Sequence, residues 1–135
     1  MDRAGRRVAG TLAGLAREAA GPGDLVRRYV SLLAGWMAES GFSDGCPIAT
    51  TLLETAPASA AIREAGARAL GGWARIYSES LQARGVAADR ADRLGAMAVA
   101  AIEGALIQAR VAVDGKPLLD VAEELALAFE AAMPA

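Results

Sequence analysis

Cys46 is the residue with the clearest potential for covalent chemistry. It lies in the segment Gly45-Cys46-Pro47, just before a predicted helix, and the N–H groups and dipole of a helix N-terminus stabilise a thiolate. That setting predicts a redox-sensitive thiol. The alternative is a small buried side chain beneath a tight turn. Because no other cysteine is present, an intramolecular disulfide is excluded.

Glu103 is the second candidate, because it is the one charged residue between Leu94 and Ala109. An unpaired carboxylate in apolar surroundings is costly. We therefore expect Glu103 either to anchor a cationic or hydrogen-bonding ligand, or to pair with an arginine. Arg75 and Arg110 are the candidates for that pairing.

Catalysis is not expected. The chain has no histidine, which excludes Ser-His-Asp and Cys-His arrangements and every histidine-ligated metal site. Hydroxyl groups do lie beside carboxylates, in Ser78-Glu79-Ser80 and in Thr50-Thr51 with Glu54, but neither group has a histidine or lysine to activate a nucleophile. The sequence predicts no enzyme, no metal site and no cofactor.

The composition is that of a single globular domain spanning residues 1–135. The chain has 54% hydrophobic residues and a net charge of −2, which argues against nucleic acid or an anionic membrane as the main partner. The arginine pairs 6–7 and 27–28 are too short for a nucleic-acid patch and are expected on solvated faces. The N-terminal apolar residues recur at helical spacing, unlike a signal peptide. We expect a cytoplasmic protein without membrane contact.

The fold class expected is all-α, because apolar residues recur with the helical period throughout. The chain divides into about six helices, because signals for helix ends and helix starts occur at Gly21, Asp24, Gly41, Pro47, Pro57, Gly85, Asp89 and Pro117. Their predicted ranges are 4–20, 24–40, 48–55, 57–84, 89–114 and 117–133.

Aromatic side chains cluster on the second to fourth helices and in the connector between them. Tryptophan and tyrosine combine an apolar body with a polar group, which suits a ligand pocket. Their helical spacing is equally typical of an ordinary core, so both interpretations stay open. The residues concerned are Tyr29, Trp36, Phe42, Trp73 and Tyr77.

The fifth helix is apolar nearly all round and must be covered nearly all round. We expect a second copy of the chain to supply part of that cover, with the fifth and sixth helices of two protomers forming a four-helix bundle. Gly95 and Gly104 would permit close approach of another helix. The interface residues expected are Met97, Ala98, Ala101, Ile102, Ala105, Leu118, Val121, Leu125 and Phe129.

Two motifs at a characteristic spacing point to a known family. The first is Gly45-Cys46-Pro47-Ile48-Ala49-Thr50, and the second is Glu103-Gly104-Ala105-Leu106 followed by Ala109-Arg110. Together with Gly41-Phe42, Leu53-Glu54, Ala56-Pro57 and Gly72-Trp73, they make the chain resemble the C-terminal domain of TetR-family transcription regulators of the LmrA/YxaF-like subgroup. The resemblance covers nearly the whole chain.

This resemblance implies an effector-binding and dimerisation domain. A small apolar or aromatic ligand would enter among the first four helices and shift the domain between two arrangements, which in an intact regulator would separate the DNA-reading heads. The ligand-binding residues expected are Tyr29, Leu33, Trp36, Met37, Phe42, Cys46, Thr50, Leu53, Trp73, Tyr77 and Glu103.

DNA contact is expected only through a helix-turn-helix domain that these residues do not supply. In the family a three-helix DNA-binding unit comes first, whereas residues 1–20 are too few for a recognition helix and its scaffold. The alternative function is a stand-alone helical interaction protein that assembles through its apolar fifth helix and binds no ligand.

Overall fold

A computed structural model describes residues 2–46 and 48–135, except for the side chains of Asp2, Thr50, Thr51 and Leu53. Within that part the chain forms six helices and no strand, which confirms the all-α prediction. The helices are α1 (Asp2–Glu18), α2 (Pro22–Glu39), α3 (Ala49–Thr55), α4 (Ala60–Gln82), α5 (Ala88–Ala112) and α6 (Lys116–Ala132).

Each of the six helices begins within three residues of its predicted start, and for two of them the difference has a clear cause. Helix α2 begins at Pro22, so Asp24 lies inside its first turn, where its carboxylate accepts a hydrogen bond from the Ala20 N–H at 2.9 Å. Helix α4 begins three residues after Pro57, because the Ser59 hydroxyl caps it by accepting from the Ile62 N–H at 3.3 Å. Asp24 thus fixes the α1–α2 connection and does not act as an N-cap.

The end of α2 at Gly41 agrees with the prediction and has a clear cause. Gly41 and Phe42 both take left-handed conformations, at φ values of 64° and 62°. The Phe42 N–H donates to the Met37 carbonyl at 2.7 Å and the Gly41 N–H to the Ala38 carbonyl at 3.1 Å, which is a Schellman motif. This turn sends the connector after α2 back toward the rest of the fold.

Specific contacts join the helices in pairs. Helices α4 and α5 approach so closely that a Cβ atom at Gly95 would lie 2.4 Å from the Ala74 carbonyl oxygen. The Trp73 indole donates to the Gly5 carbonyl at 3.0 Å and links α4 to α1. Arg27 of α2 forms ion pairs with α6 at 3.1 Å to each of Glu123 and Glu130.

Helix α5 is central to the fold. Of the helices in the described ranges, it alone is long and apolar enough to cross a membrane by length and composition. The buried core helices of soluble proteins meet the same measure. Here the buried residues of α5 pack in the core with those of α4 and α6.

Candidate functional site

A cleft of about 570 Å³ opens between α1, α2, α4, α5 and the connector after α2. Its size is in the range of small-molecule sites. Its lining combines apolar and aromatic side chains with polar and charged ones. The lining residues are Ala4, Arg7, Val8, Thr11, Tyr29, Leu33, Trp36, Met37, Glu39, Ser40, Asp44, Gly45, Cys46, Trp73, Glu103 and Leu106.

Most of the expected ligand residues lie in this cleft, namely Tyr29, Leu33, Trp36, Met37, Cys46, Trp73 and Glu103. Phe42 instead packs, half-buried, against the core from the turn after α2. Tyr77 is buried beside Phe129, with ring centroids 6.1 Å apart, and its hydroxyl has no hydrogen-bond partner in the described ranges. Neither side chain lines the cleft, so the prediction for these two is corrected. The side chains of Thr50 and Leu53 lie outside the described residues.

Sequence reasoning missed the contribution of α1. Ala4, Val8 and Thr11 follow one another at helical spacing and line one face of the cleft, with Arg7 beside them. The spacing was a usable signal, because residues at i, i+4 and i+7 share a face. Arg7 was expected on a solvated face; it is exposed and also borders the cleft. The acidic residues at the opening, Glu39 and Asp44, gave no signal in the sequence.

The two tryptophans occupy different environments. Trp36, which lines the cleft, is 44% exposed, whereas Trp73 is only 4% exposed. The hydrogen bond from the Trp73 indole to the Gly5 carbonyl fixes that ring at the α1–α4 contact. Trp36 is therefore the aromatic side chain most available to a ligand, and Trp73 is mainly structural.

Tyr29, Cys46 and Glu103 form a polar cluster in the cleft. The Cys46 thiol and the Glu103 carboxylate lie close enough to shift each other's pKa, and the carboxylate also acts electrostatically on the Tyr29 hydroxyl. Burial raises the pKa of Glu103, and the nearby thiol offsets part of that effect. Burial, followed by the nearby carboxylate, raises the pKa of Tyr29. The cluster thus holds a carboxylate in a site that disfavours its charge.

Cys46 is a poor candidate for a reactive thiolate. Burial first, and then the nearby Glu103 carboxylate, raise the pKa of its thiol to about 12, although the backbone N–H groups of Ile48 and Ala49 act in the opposite direction. A stabilised thiolate is therefore disfavoured, because desolvation and a neighbouring negative charge outweigh the helix N-terminus. The alternative of a packed side chain beneath the turn fits better.

Among the residues that the structure describes, Glu103 has no arginine partner. No ion pair to it occurs among residues 2–46 and 48–135 within 4.0 Å, and both Arg75 and Arg110 are exposed. Pairing with either arginine is therefore corrected. The remaining expectation for this carboxylate is a role toward a ligand.

The predicted dimer interface divides into two groups. Met97 is 43% exposed, and Ala101 and Val121 are half-buried. The others pack inside their own protomer and have no surface left for a partner, so they are removed from the interface. These residues are Ala98, Ile102, Ala105, Leu118, Leu125 and Phe129.

Other polar groups serve the fold. The Ser78 hydroxyl donates to the Asp92 carboxylate at 2.6 Å and accepts from the Gln82 amide at 3.0 Å, so it connects α4 to α5. Within the described residues, no three histidine, cysteine, aspartate or glutamate side chains are grouped to hold a metal ion.

Comparison with known proteins supplies the family. The comparison with curated proteins finds no match to this sequence. A family model, that of the C-terminal domain of LmrA/YxaF-like transcriptional regulators, matches residues 22–124. This match covers most of the chain and includes both motifs singled out above. The family is a non-enzymatic regulatory one, which agrees with the prediction of no enzyme. The chain thus belongs to the TetR family, as an LmrA/YxaF-like C-terminal domain.

Proposed function

We propose that this chain is the effector-sensing and dimerisation part of a cytoplasmic transcriptional regulator, and that a small apolar or aromatic ligand binds in the cleft. C-terminal domains of this family are generally the ligand-binding and dimerisation part of a regulator. The observation that carries the proposal is the open cleft bordered by Tyr29, Trp36 and Trp73. A closed interior between α2 and α4 would have favoured an interaction protein without a ligand.

The second half of the proposal, dimerisation, rests on an uncharged surface of α5. One face of an ideal helix holds positions 97, 100, 101, 104, 107, 108 and 111. On this face of α5 the side chains of Met97, Ile107 and Val111 are exposed. We name this surface the α5 strip; its residues are Met97, Ala100, Ala101, Gly104, Ile107, Gln108 and Val111. Leu119 and Leu127 add exposed apolar side chains on α6. A second copy covering the α5 strip would form the four-helix bundle.

The ligand-binding half is tested with N-phenyl-1-naphthylamine, a neutral dye whose fluorescence rises in apolar surroundings. We expect saturable binding and a melting temperature that rises with dye concentration, because the dye binds only the folded state. Trp36→Ala should weaken binding several-fold, whereas Trp36→Phe, which keeps an aromatic ring, should bind nearly as wild type. Trp36 suits this test because its exposure limits the loss of stability on truncation.

The alternative function is a helical interaction protein that dimerises and binds no ligand. The exposed α5 strip is the observation that favours it. Under this alternative the chain remains a dimer, while the dye binds without saturation and Trp36→Ala leaves its signal unchanged. That pair of results would remove the sensor function and keep the assembly function.

A further inference from the structure

We infer that the cleft selects a ligand with a positive charge attached to an aromatic or apolar body; this inference rests on the proposed function and specifies its ligand class. Among the described residues, the charged groups that line the cleft are three carboxylates, Glu39, Asp44 and Glu103, and one guanidinium, Arg7. An excess of carboxylates in a concave apolar site attracts cations and repels anions.

Glu103 is the residue expected to contact the cation. It is half-buried in the cleft, no ion pair to it is found among the described residues, and the nearby Cys46 thiol is a weak donor that brings no charge. A carboxylate held in this way gains most from a ligand that brings a cation and hydrogen-bond donors of its own. Glu39 and Asp44 are exposed, so water and salt screen their charges more strongly.

The apolar and aromatic residues of the cleft indicate the chemical class of the remainder of the ligand. Leu33, Met37 and Leu106 supply aliphatic surface, and the half-exposed ring of Trp36 supplies an aromatic face. An aromatic face attracts cations as well as flat apolar groups. An aromatic ammonium ion can therefore contact the Glu103 carboxylate through its charge and the apolar and aromatic residues through its ring.

Arg7 does not reverse this preference. It is exposed, and its guanidinium therefore remains accessible to water and salt, whereas Glu103 is partly desolvated. Electrostatic interactions strengthen as water is excluded. The partly desolvated carboxylate should therefore decide the sign of the ligand charge.

The test uses three probes that share one aromatic body and differ in charge: 1-pyrenemethylammonium, 1-pyrenemethanol and 1-pyrenecarboxylate. Binding to the full chain at neutral pH is followed by the fluorescence anisotropy of pyrene. We expect the ammonium probe to bind about tenfold or more tightly than the alcohol, as a charge-assisted hydrogen bond allows. The carboxylate probe should bind more weakly than the alcohol.

Variants assign the preference to one residue. Glu103→Gln should remove most of the advantage of the ammonium probe over the alcohol, and the circular dichroism of the variant reports whether the fold is intact. Glu103→Met is a second neutral variant if the amide disturbs folding. Glu124→Gln removes the same charge from an exposed position on α6 that does not line the cleft, and it should leave the selectivity as in wild type.

The outcomes separate the ligand class from the proposed function. Equal binding of the three probes, or tightest binding of the carboxylate, would overturn the cationic class while leaving a ligand-binding cleft. A preference for the ammonium probe that survives Glu103→Gln would overturn the role of Glu103. Binding of none of the probes would overturn this inference and the ligand-binding half of the proposed function together.

Discussion

At the scale of single residues, the main feature is a carboxyl group kept where its charge is disfavoured. Glu103 lies in the cleft, and the nearby Cys46 thiol offsets only part of the effect of burial on its pKa. Unpaired buried charge lowers the stability of a fold. Residues that lower the stability of a fold and make no stabilising contact in it are concentrated at functional sites. This is the physical reason for assigning Glu103 to ligand binding.

The raised pKa of Glu103 predicts how stability depends on pH. Burial places its pKa in the folded state above the ordinary value of 4.5, so the folded state binds the proton more tightly than the unfolded state. Stability is therefore lost as pH rises from that ordinary value through the folded-state pKa. Glu103→Gln should raise the melting temperature at about pH 7 and change it much less at about pH 4.

Thermal unfolding followed by circular dichroism at both pH values measures this difference. Glu124→Gln is the matched control, because its carboxylate is exposed. An equal shift of the Glu103→Gln melting temperature at both pH values would contradict the assignment of a destabilising charge to this position.

The same cluster predicts slow alkylation of Cys46. With a thiol pKa of about 12, very little thiolate exists near neutral pH, and the thiolate is the reacting species. Iodoacetamide should modify the native chain roughly a hundredfold more slowly than the chain unfolded in denaturant. Mass spectrometry of quenched samples gives both rates. Comparable rates in the two states would restore the alternative of a reactive thiol.

At the scale of the helices, the close contact of α4 and α5 depends on Gly95. A methyl group there would meet the Ala74 carbonyl oxygen, whereas a methyl group at Gly104 would meet nothing within 4 Å in its own protomer. Gly95→Ala should therefore cost about 1–3 kcal/mol of unfolding free energy, as overpacking does. Gly104→Ala should be neutral or stabilise the helix by up to about 1 kcal/mol.

Urea unfolding of the two variants, made at the same concentration, compares these effects directly. The pair is matched, since both substitutions replace a glycine inside α5 with alanine. A larger loss for Gly104→Ala than for Gly95→Ala would contradict the α4–α5 packing described here.

The sequence predicted the positions of the helices better than it predicted how the helices pack against each other. The helical period, Gly41 and Gly85 located the elements and several of their ends, because these signals are local. Asp24 and Pro57 gave wrong helix starts, because neither a residue that can cap a helix nor a proline that can begin one fixes by itself where the helix starts. The share of α1 in the cleft and the environment of Glu103 depend on how helices pack, which no local pattern records.

The interface prediction failed for the same reason at several positions. Ala98 and Ile102 belong to the apolar surface of α5, but α4 and α6 already cover that side. The period of a helix shows which residues share a face. It does not show whether the same chain or a second copy covers that face.

At the scale of the whole molecule, we predict a homodimer through the α5 strip. Light scattering should give about twice the mass of 13.8 kDa, because exposed apolar residues such as Ile107 and Val111 favour burial. Ile107→Asp should dissociate the dimer by placing an unpaired charge in the interface. Ala67→Asp, on the exposed side of α4, is the matched control and should remain dimeric.

A wild-type chain that stays monomeric at micromolar concentration would contradict the dimer. A dimer that tolerates Ile107→Asp would instead show that the copies meet through another surface. Circular dichroism of the variant distinguishes dissociation from unfolding, since a folded monomer keeps its helical signal.

Helix α5 carries both Glu103, which lines the cleft, and the strip proposed to meet a second copy. If binding at one of these sites changes the affinity at the other, the coupling between them is reciprocal. If a cation drawn to Glu103 tightens or loosens the association of two copies, dilution must alter the affinity for that cation by the same factor. The concentration of such a compound that half-saturates the cleft would then depend on the cellular concentration of the protein as well as on the compound.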